Sequence, residues 1–328
     1  FANEVGGTPD RPGVTPAEFH AFCARQQAAW PLTMTTLSTH DTKRGEDVRA
    51  RLAVLTEIPE EWGRAVTAWR AISAAYRSHA GWPDPATDYL IWQTLVGAWP
   101  LTADRLAGYV EKATREAKVH TSWTKPGPDF DAGVRAFVQG VCADENLRAA
   151  IEAFVGMIAP HARVVSLGQK LVQLTMPGVP DIYQGTEFET LTLVDPDNRQ
   201  PVDVEARRAA LAALDGGAPA KSLDEEKTLI TSRALRLRRE HPEWFSAEAT
   251  YTPLDTPEHA VAFLRSDAVI TVATRLTFAL ERAGGFGDAA LSLPPGTWTD
   301  VLTDRQLSGV VRYAELLADL PVALLVAS

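Results

Sequence analysis

Hydrophobic positions between residues 45 and 174 recur at helical spacing. Trp62, Val66, Trp69, Ile72 and Tyr76 follow one another at intervals of three or four residues, which places their side chains on one face of a helix. Prolines interrupt the stretch where separate helices would begin or end, at positions 83, 85, 100, 126 and 128. The pattern therefore predicts a subdomain built mainly of helices.

Two short apolar segments flank this helical region. Residues 32–38 and 179–183 are too short for helices, so the first predicts a buried strand and the second a further short strand. A helix over residues 17–30 is predicted before the first segment. Two helices are predicted after the second, and the later one begins with Ser222 and Glu225 at the spacing of a capping box, in which each side chain accepts a hydrogen bond from the other residue's backbone N–H.

The hydrophobic pattern changes after Pro242. Short apolar runs replace the helical periodicity and are separated by glycine, proline and aspartate; they cover residues 260–264, 269–274, 289–293 and 322–326. This pattern predicts a small antiparallel β domain that begins near residue 245.

Charge and hydropathy narrow the range of partners. The formal net charge of the 328 residues is −10, which argues against nucleic acid, because affinity for a phosphate backbone depends on Lys and Arg displacing counterions. No apolar run in the sequence approaches the roughly 18 residues needed to span a bilayer. We therefore expect neither a nucleic-acid nor a membrane partner.

The two cysteines and the chain start give weaker expectations. Cys23 and Cys142 lie far apart, without CxxC spacing or a nearby histidine cluster, so we expect no metal site, no disulfide framework and no cofactor. A reducing cytoplasm is the expected location. The first residue is Phe1 and no signal peptide follows it, so we expect the chain to be a piece of a longer polypeptide.

Side chains that could take part in catalysis follow the first predicted strand. His40, Asp41, Lys43 and Arg44 combine an imidazole, a carboxylate and two cations within five positions. Residues just past the C-terminal end of a strand line the active site of a parallel α/β barrel. A structural alternative has equal weight on chemistry alone: Asp41 would cap the helix that begins near Gly45, with both cations in solvent.

The second predicted strand leads into a similar set of side chains. Tyr183 and Gln184 lie at its end, and Glu187 follows shortly after. They are candidates for ligand contacts by the same positional argument. Packing by Tyr183 and a turn at Glu187 explain the same residues equally well.

Several segments resemble the α-amylase superfamily and, within it, the maltooligosyl trehalose synthases. PGVPDIYQGTE (177–187) and LVDPDNRQPVD (193–203) indicate the superfamily, and THDTKR (39–44) followed by EDVRAR (46–51) is most similar to the synthases. The similarity also covers residues 89–100, 112–123 and the closing PVALLV. Nearly the whole chain is covered, and the combination of motifs is specific.

The resemblance implies an α/β fold with four parts. These are the end of a (β/α)8 TIM barrel through its seventh strand (1–44), a mainly helical subdomain inserted between strands seven and eight (45–174), strand eight with an active-site loop and the last helices (175–244), and a C-terminal antiparallel β-sandwich domain (245–328). The first six barrel strands would belong to a missing N-terminal half of the same enzyme.

The resemblance also implies roles for individual residues. Asp41 would be the third carboxylate of a retaining mechanism, binding hydroxyls of the glucosyl ring, and His40 would donate to the same ring. Further candidates for contacts with a maltooligosaccharide substrate are Lys43, Arg44, Lys118, Ser122, Trp123, Tyr183, Gln184, Asp195, Asp197 and Arg199. The nucleophile and the general acid would lie outside this chain.

The expected reaction converts the reducing-end α-1,4 bond of a maltooligosaccharide into an α-1,1 bond. Another α-glucan hydrolase or glucosyltransferase of the superfamily is the alternative within the same class, since a shared barrel does not fix the reaction. A non-catalytic sugar-binding fragment is the alternative from a different class.

Overall fold

A computed structural model describes residues 8–11 and 13–328. The chain divides into two compact units. The helical unit comprises His40–Ala162 and Leu191–Gln200, and the sheet unit comprises the chain up to Thr39, Arg163–Thr190 and Pro201–Ser328. Each unit is described separately below.

Helices make up nearly all of the helical unit, as the hydrophobic spacing predicts. They are α2 (Glu46–Val54), α3 (Pro59–Ser73), α4 (Pro85–Ala98), α5 (Ala103–Ala117), α6 (Pro128–Ala143) and the first half of α7 (Glu145–Thr175). Proline occupies the first position of α3, α4 and α6, where its missing N–H costs no hydrogen bond. Asp84 caps α4 and Thr102 caps α5 by accepting hydrogen bonds from backbone N–H groups in the first turn.

Aromatic side chains fill the core of the helical unit. The ring centroids of Trp69 lie 5.8 Å from Trp62 and 5.6 Å from Trp92, and Phe154 on α7 lies 5.7 Å from Trp62. Trp62, Trp69 and Trp92 are buried. Edge-on and tilted contacts at these separations add about 0.5–1.5 kcal/mol per pair to the hydrophobic contribution, so three helices are joined through one aromatic cluster.

The sheet unit contains one parallel strand pair. Strand β1 (Met34–Thr36) pairs in parallel with β2 (Val179–Asp181), with Met34 opposite Val179. Both strands are shorter than predicted. The expectation that the first is buried is wrong, since Met34 is 72% exposed; Val179 of β2 is 44% exposed. Each strand pairs only with the other among the described residues, so one edge of each stays uncovered.

A six-stranded antiparallel sheet forms the C-terminal part of the sheet unit. Its order is β3–β4–β5–β10–β7–β8, and the strands are β3 (Tyr251–Pro253), β4 (Ala260–Arg265), β5 (Val269–Thr274), β7 (Trp298–Asp300), β8 (Arg305–Leu307) and β10 (Val322–Ala327). The short strands β6 (Ala290–Ser292) and β9 (Val310–Arg312) form a separate pair. The four strands predicted from the apolar runs are confirmed as β4, β5, β6 and β10.

Both faces of the six-stranded sheet are covered. Alternation along β5 and β10 sends Val269, Ala273, Val322 and Leu324 toward buried leucines of α7 and α9. The intervening residues pack on the opposite face with Leu291 of β6 and Val311 of β9, and they are Ile270, Val272, Ala323 and Leu325. Burial on both faces explains why these strands are continuously apolar.

Four further helices complete the sheet unit. They are α1 (Pro16–Ala29), α8 (Val204–Asp215), α9 (Leu223–Glu240) and α10 (Thr277–Arg282), with a single turn, α11 (Tyr313–Leu316). The predicted capping box of Ser222 and Glu225 is confirmed at the start of α9.

Helix α7 bears on the expectation that no apolar run is long enough to span a bilayer. Among the described residues it is the one helix long and apolar enough, by length and composition alone, to cross a bilayer. A core helix of a soluble protein passes the same test. Leu167, Leu171 and Leu174 are fully buried in the core of the sheet unit, so this part of α7 has the environment of a core helix.

Candidate active site

The carboxylate of Asp41, in the segment 40–44, does not cap helix α2. Helix α2 begins after Gly45, and Asp41 lies four positions earlier. The structural alternative for Asp41 is therefore wrong. Backbone and side-chain bonds to residues 191–200 hold the segment instead: Gly45 N donates to Thr192 O at 2.8 Å, and Asn198 Nδ2 donates to His40 O at 2.9 Å. His40 and Asp41 are both exposed at the surface of the helical unit.

Arg44 does not lie in solvent, as the structural alternative required. It is 6% exposed, and its Nη1 and Nη2 atoms lie 3.3 Å from Gln93 Oε1 and from Thr94 Oγ1 on α4. Its backbone also forms an isolated antiparallel bridge with Leu193. Arg44 thus fixes the end of the 40–44 segment against α4 and the loop.

A chain of charged side chains leads from Asp41 to the loop at residues 195–199. Lys43 Nζ lies 3.6 Å from Asp41 Oδ1 and 3.6 Å from Glu116 Oε2. Lys112 continues the chain, since its Nζ lies 4.0 Å from Glu116 Oε1 and 2.7 Å from Asp195 Oδ1. Positive and negative groups alternate along it. The predicted residues Asp41, Lys43 and Asp195 are thereby brought together in one unit through two residues of α5 that were not predicted.

Two ion pairs fasten the loop to α5. Lys112 Nζ donates to Asp195 Oδ1 at 2.7 Å and to Asp195 O at 2.9 Å. Arg105 Nε and Nη2 donate to the two carboxylate oxygens of Asp197, each at 2.8 Å. Arg199 lies 3.6 Å from Asp195 Oδ2 and is itself exposed. Because the Arg105 contact is bidentate, it fixes the orientation of Asp197 as well as its position.

These contacts also set the protonation state of both loop carboxylates. The hydrogen bond from Lys112 lowers the pKa of Asp195, against a smaller opposing effect of burial. Burial on its own would raise the pKa of Asp197, but the hydrogen bonds from Arg105 and from the Leu193 N–H together outweigh it and lower the pKa. Both groups are therefore charged hydrogen-bond acceptors at neutral pH.

Three predicted contact residues, Lys118, Ser122 and Trp123, follow α5 in the helical unit. Lys118 ends α5 in the left-handed conformation, with φ of 59°, and is exposed. Ser122 Oγ accepts a hydrogen bond from Lys125 N at 2.9 Å within a tight turn. Trp123 is 57% exposed, and the guanidinium of Arg115 lies 4.8 Å from the centre of its ring.

Tyr183 and Gln184 lie in the sheet unit, directly after β2. The carbonyl oxygen of Tyr183 accepts hydrogen bonds from Thr186 N at 3.0 Å and from Thr186 Oγ1 at 2.8 Å, which closes a turn. Tyr183 is half-buried and Gln184 is exposed. The turn thus positions both side chains after the strand end, as expected.

Sequence reasoning missed the residues of α5 that hold the site together. Arg105, Tyr109, Lys112 and Glu116 follow one another at intervals of four, three and four, so they form one face of the helix. That spacing was the available signal, but only the fold shows that this face meets residues 195–197. Among the described residues no group of three or more His, Cys, Asp or Glu side chains has the arrangement of a metal site.

Comparison with known proteins gives consistent results. No family model matches the chain. A curated Mycobacterium tuberculosis protein that carries the name of a maltooligosyl trehalose synthase is 44% identical over 335 aligned residues, which cover 99% of this chain and 41% of the relative. The chain therefore spans about two fifths of the length of the curated relatives it matches.

Solved structures give the same result. Maltooligosyltrehalose synthase from Arthrobacter ramosus matches with a TM-score of 0.91 and 41% identity, over 99% of this chain and 42% of that one. A Sulfolobus tokodaii protein described as a hypothetical maltooligosyl trehalose synthase matches with a TM-score of 0.81 and 28% identity, over 99% and 42%. The resemblance expected from the motifs is confirmed: this chain is homologous to part of these proteins.

Proposed function

We propose that this chain is part of a retaining isomerase that converts the reducing-end α-1,4 bond of a maltooligosaccharide into an α-1,1 bond, giving maltooligosyl trehalose. The observation that carries the proposal is the charged chain from Asp41 through α5 to Asp195. It joins residues of three segments that resemble the synthases, 39–44, 112–123 and 193–203, within the helical unit. The similarity along 99% of the chain supports the choice of reaction.

Asp41 acts in this proposal as a transition-state stabiliser. Retaining glycosidases use one carboxyl group as nucleophile and another as general acid around an oxocarbenium-like transition state. Neither belongs to this chain, and both are assigned to the remainder of the enzyme. Asp41 accepts hydrogen bonds from ring hydroxyls of the glucosyl unit, and these bonds strengthen as positive charge develops at the anomeric carbon.

The residues around Asp41 keep it correctly placed. Lys43 lies between Asp41 and Glu116 of α5 and donates to a neighbouring sugar hydroxyl. His40 donates to the same ring as Asp41. Arg44 acts indirectly, because it is buried against α4 and fixes the segment that carries the two ligands.

Isomerisation requires that the released glucose stay in the site. Cleavage of the α-1,4 bond transfers the maltooligosyl unit to the nucleophile, and the general acid protonates the departing O4. The glucose then turns, its anomeric hydroxyl attacks the glycosyl-enzyme, and its proton returns to the same acid–base group. Water must be excluded during this interval, and Lys118 and Ser122 of the helical unit are proposed parts of the enclosure.

The strand pair β1–β2 is proposed to be part of a TIM barrel. Parallel strands joined by a long helical excursion suit its seventh and eighth members. Among the described residues each strand has only the other as a strand partner, which leaves one edge of each for further strands. The remaining strands would come from the N-terminal half of the same enzyme. Free Cys23 and Cys142 fit a reducing cytoplasm, which we propose as its location.

Product analysis of the full-length protein tests the proposal. With maltopentaose as substrate, we expect reducing power to fall while little free glucose accumulates, because isomerisation consumes the reducing end without net hydrolysis. A rise in reducing ends would contradict the proposal and favour a hydrolase.

A further inference from the structure

A cavity of about 380 Å³ opens between α5 and the loop at 194–200 in the helical unit. Arg105, Tyr109 and Lys112 line it from α5, Trp123 from the segment that follows, and Asp195, Asp197 and Gln200 from the loop. Tyr109 and Gln200 were not anticipated from the sequence. The cavity therefore combines two aromatic rings with a set of paired charges.

Trp123 stacks on an arginine side chain although more than half of it is exposed. The guanidinium of Arg115 lies 4.8 Å from the centre of its ring. That guanidinium is itself fixed, with Nη2 at 2.8 Å from Glu111 Oε1 and at 3.5 Å from Asp131 Oδ2. An exposed indole that is stacked on an anchored cation loses little conformational entropy on binding a ligand.

The charges in the cavity are already paired with one another. Asp195 is bonded to Lys112 and Asp197 to Arg105. An anionic or cationic ligand would have to compete with these pairs. A neutral ligand rich in hydroxyl groups can instead use the remaining lone pairs of the carboxylates and the remaining N–H groups, while its apolar faces cover the aromatic rings.

We propose that this cavity binds α-1,4-linked glucosyl units of a neutral maltooligosaccharide, with Trp123 and Tyr109 as stacking surfaces and Asp195, Asp197 and Lys112 as hydrogen-bond partners. The proposal rests on the proposed function for the identity of the ligand. Lys112 also lies 4.0 Å from Glu116, whose other oxygen lies 3.6 Å from Lys43, so the cavity and Asp41 lie at the two ends of one ion-pair chain. The cavity thereby contributes affinity for longer substrates.

Calorimetric titration of the full-length protein with maltoheptaose tests the cavity. Trp123→Ala and Tyr109→Ala should each raise Kd by about tenfold, the usual scale for removing a central aromatic contact. Phe22→Ala serves as the matched control, since Phe22 is 48% exposed on α1 and should leave Kd within twofold. Trp123 is exposed, so its replacement should leave the melting temperature unchanged.

Assays of the same variants separate this inference from the proposed function. We expect the KM for maltoheptaose to rise about tenfold with kcat unchanged, because binding away from the scissile bond contributes equally to the ground and transition states. If the wild type isomerises maltoheptaose but both cavity variants bind it normally, the cavity inference is wrong and the proposed function stands. If the wild type forms no α-1,1 product but binding still depends on Trp123, the proposed function is wrong and the cavity inference stands.

Discussion

Two carboxylate clusters in the helical unit differ in burial. Asp88 on α4 is 0% exposed and is bonded to Arg77 at 2.8 Å, to Arg70 and to the indole N–H of Trp92 at 3.2 Å. The side chain of Asp41 is 60% exposed, and the neighbouring Lys43 is 30% exposed. Both carboxylates have cationic neighbours, but only one of them is accessible to a ligand.

The difference teaches how to separate charges that stabilise a fold from charges that bind a ligand. An exposed ion pair contributes about 0–1 kcal/mol to stability, because water screens it. A buried carboxylate that loses its charge leaves its partners uncompensated, which is strongly destabilising. Asp88 is thus expected to matter for the free energy of unfolding and Asp41 for turnover.

The largest effect on stability is expected at Asp88. Asp88→Asn removes the charge at nearly constant volume and leaves Arg70 and Arg77 without a counter-ion. These arginines are 41% and 27% exposed, so water partly compensates, and we expect the free energy of unfolding to fall by about 2–3 kcal/mol. Urea unfolding measures this change. A loss below about 0.5 kcal/mol would show that Asp88 does not hold α3 to α4.

A smaller, pH-dependent loss of stability is expected when the ion pair between Arg105 of α5 and Asp197 of the loop is removed. Arg105→Met removes the partner of Asp197, and because Arg105 is 36% exposed we expect a loss of about 1 kcal/mol at pH 7. The pKa of Asp197 is lowered in the folded state. Its stabilising contribution is therefore complete above the unfolded pKa of about 3.9 and is lost as pH falls through the lower folded pKa.

Urea unfolding at pH 7 and at progressively lower pH checks the sign of this linkage. The difference between wild type and Arg105→Met should shrink as pH decreases below about 4. A difference that is equal at all pH values, or that grows on acidification, would contradict the assignment of the Arg105–Asp197 pair as the source of the lowered pKa.

Local patterns predicted many, but not all, of the helices and strands. Helical spacing predicted the helices around Trp62 and Trp69, and apolar runs predicted β4, β5, β6 and β10. The three-residue strands β3, β7, β8 and β9 were missed, since so few residues show no periodicity. The exposure of Met34 was also missed, because burial of a strand depends on which strands cover it.

The candidate site was predictable only in part. The motif around His40 and Asp41 was the basis of the resemblance to the synthases. The DPDNR motif led to the prediction that Asp195, Asp197 and Arg199 contact the substrate. Arg44 was expected near substrate but is buried against α4, since side-chain direction cannot be read from a motif. Glu116 and Lys112 were not predicted as site residues, because charged residues on an amphipathic helix usually face solvent.

The most direct test of the account compares Asp41→Asn with Asp88→Asn in the full-length protein. For Asp41→Asn we expect a change of less than about 0.5 kcal/mol in the free energy of unfolding, with formation of α-1,1 product from maltopentaose reduced by at least about a hundredfold. For Asp88→Asn we expect the stability loss, with activity retained in the folded fraction. Near-normal turnover by a fully folded Asp41→Asn variant would contradict the assignment of Asp41 to the active site.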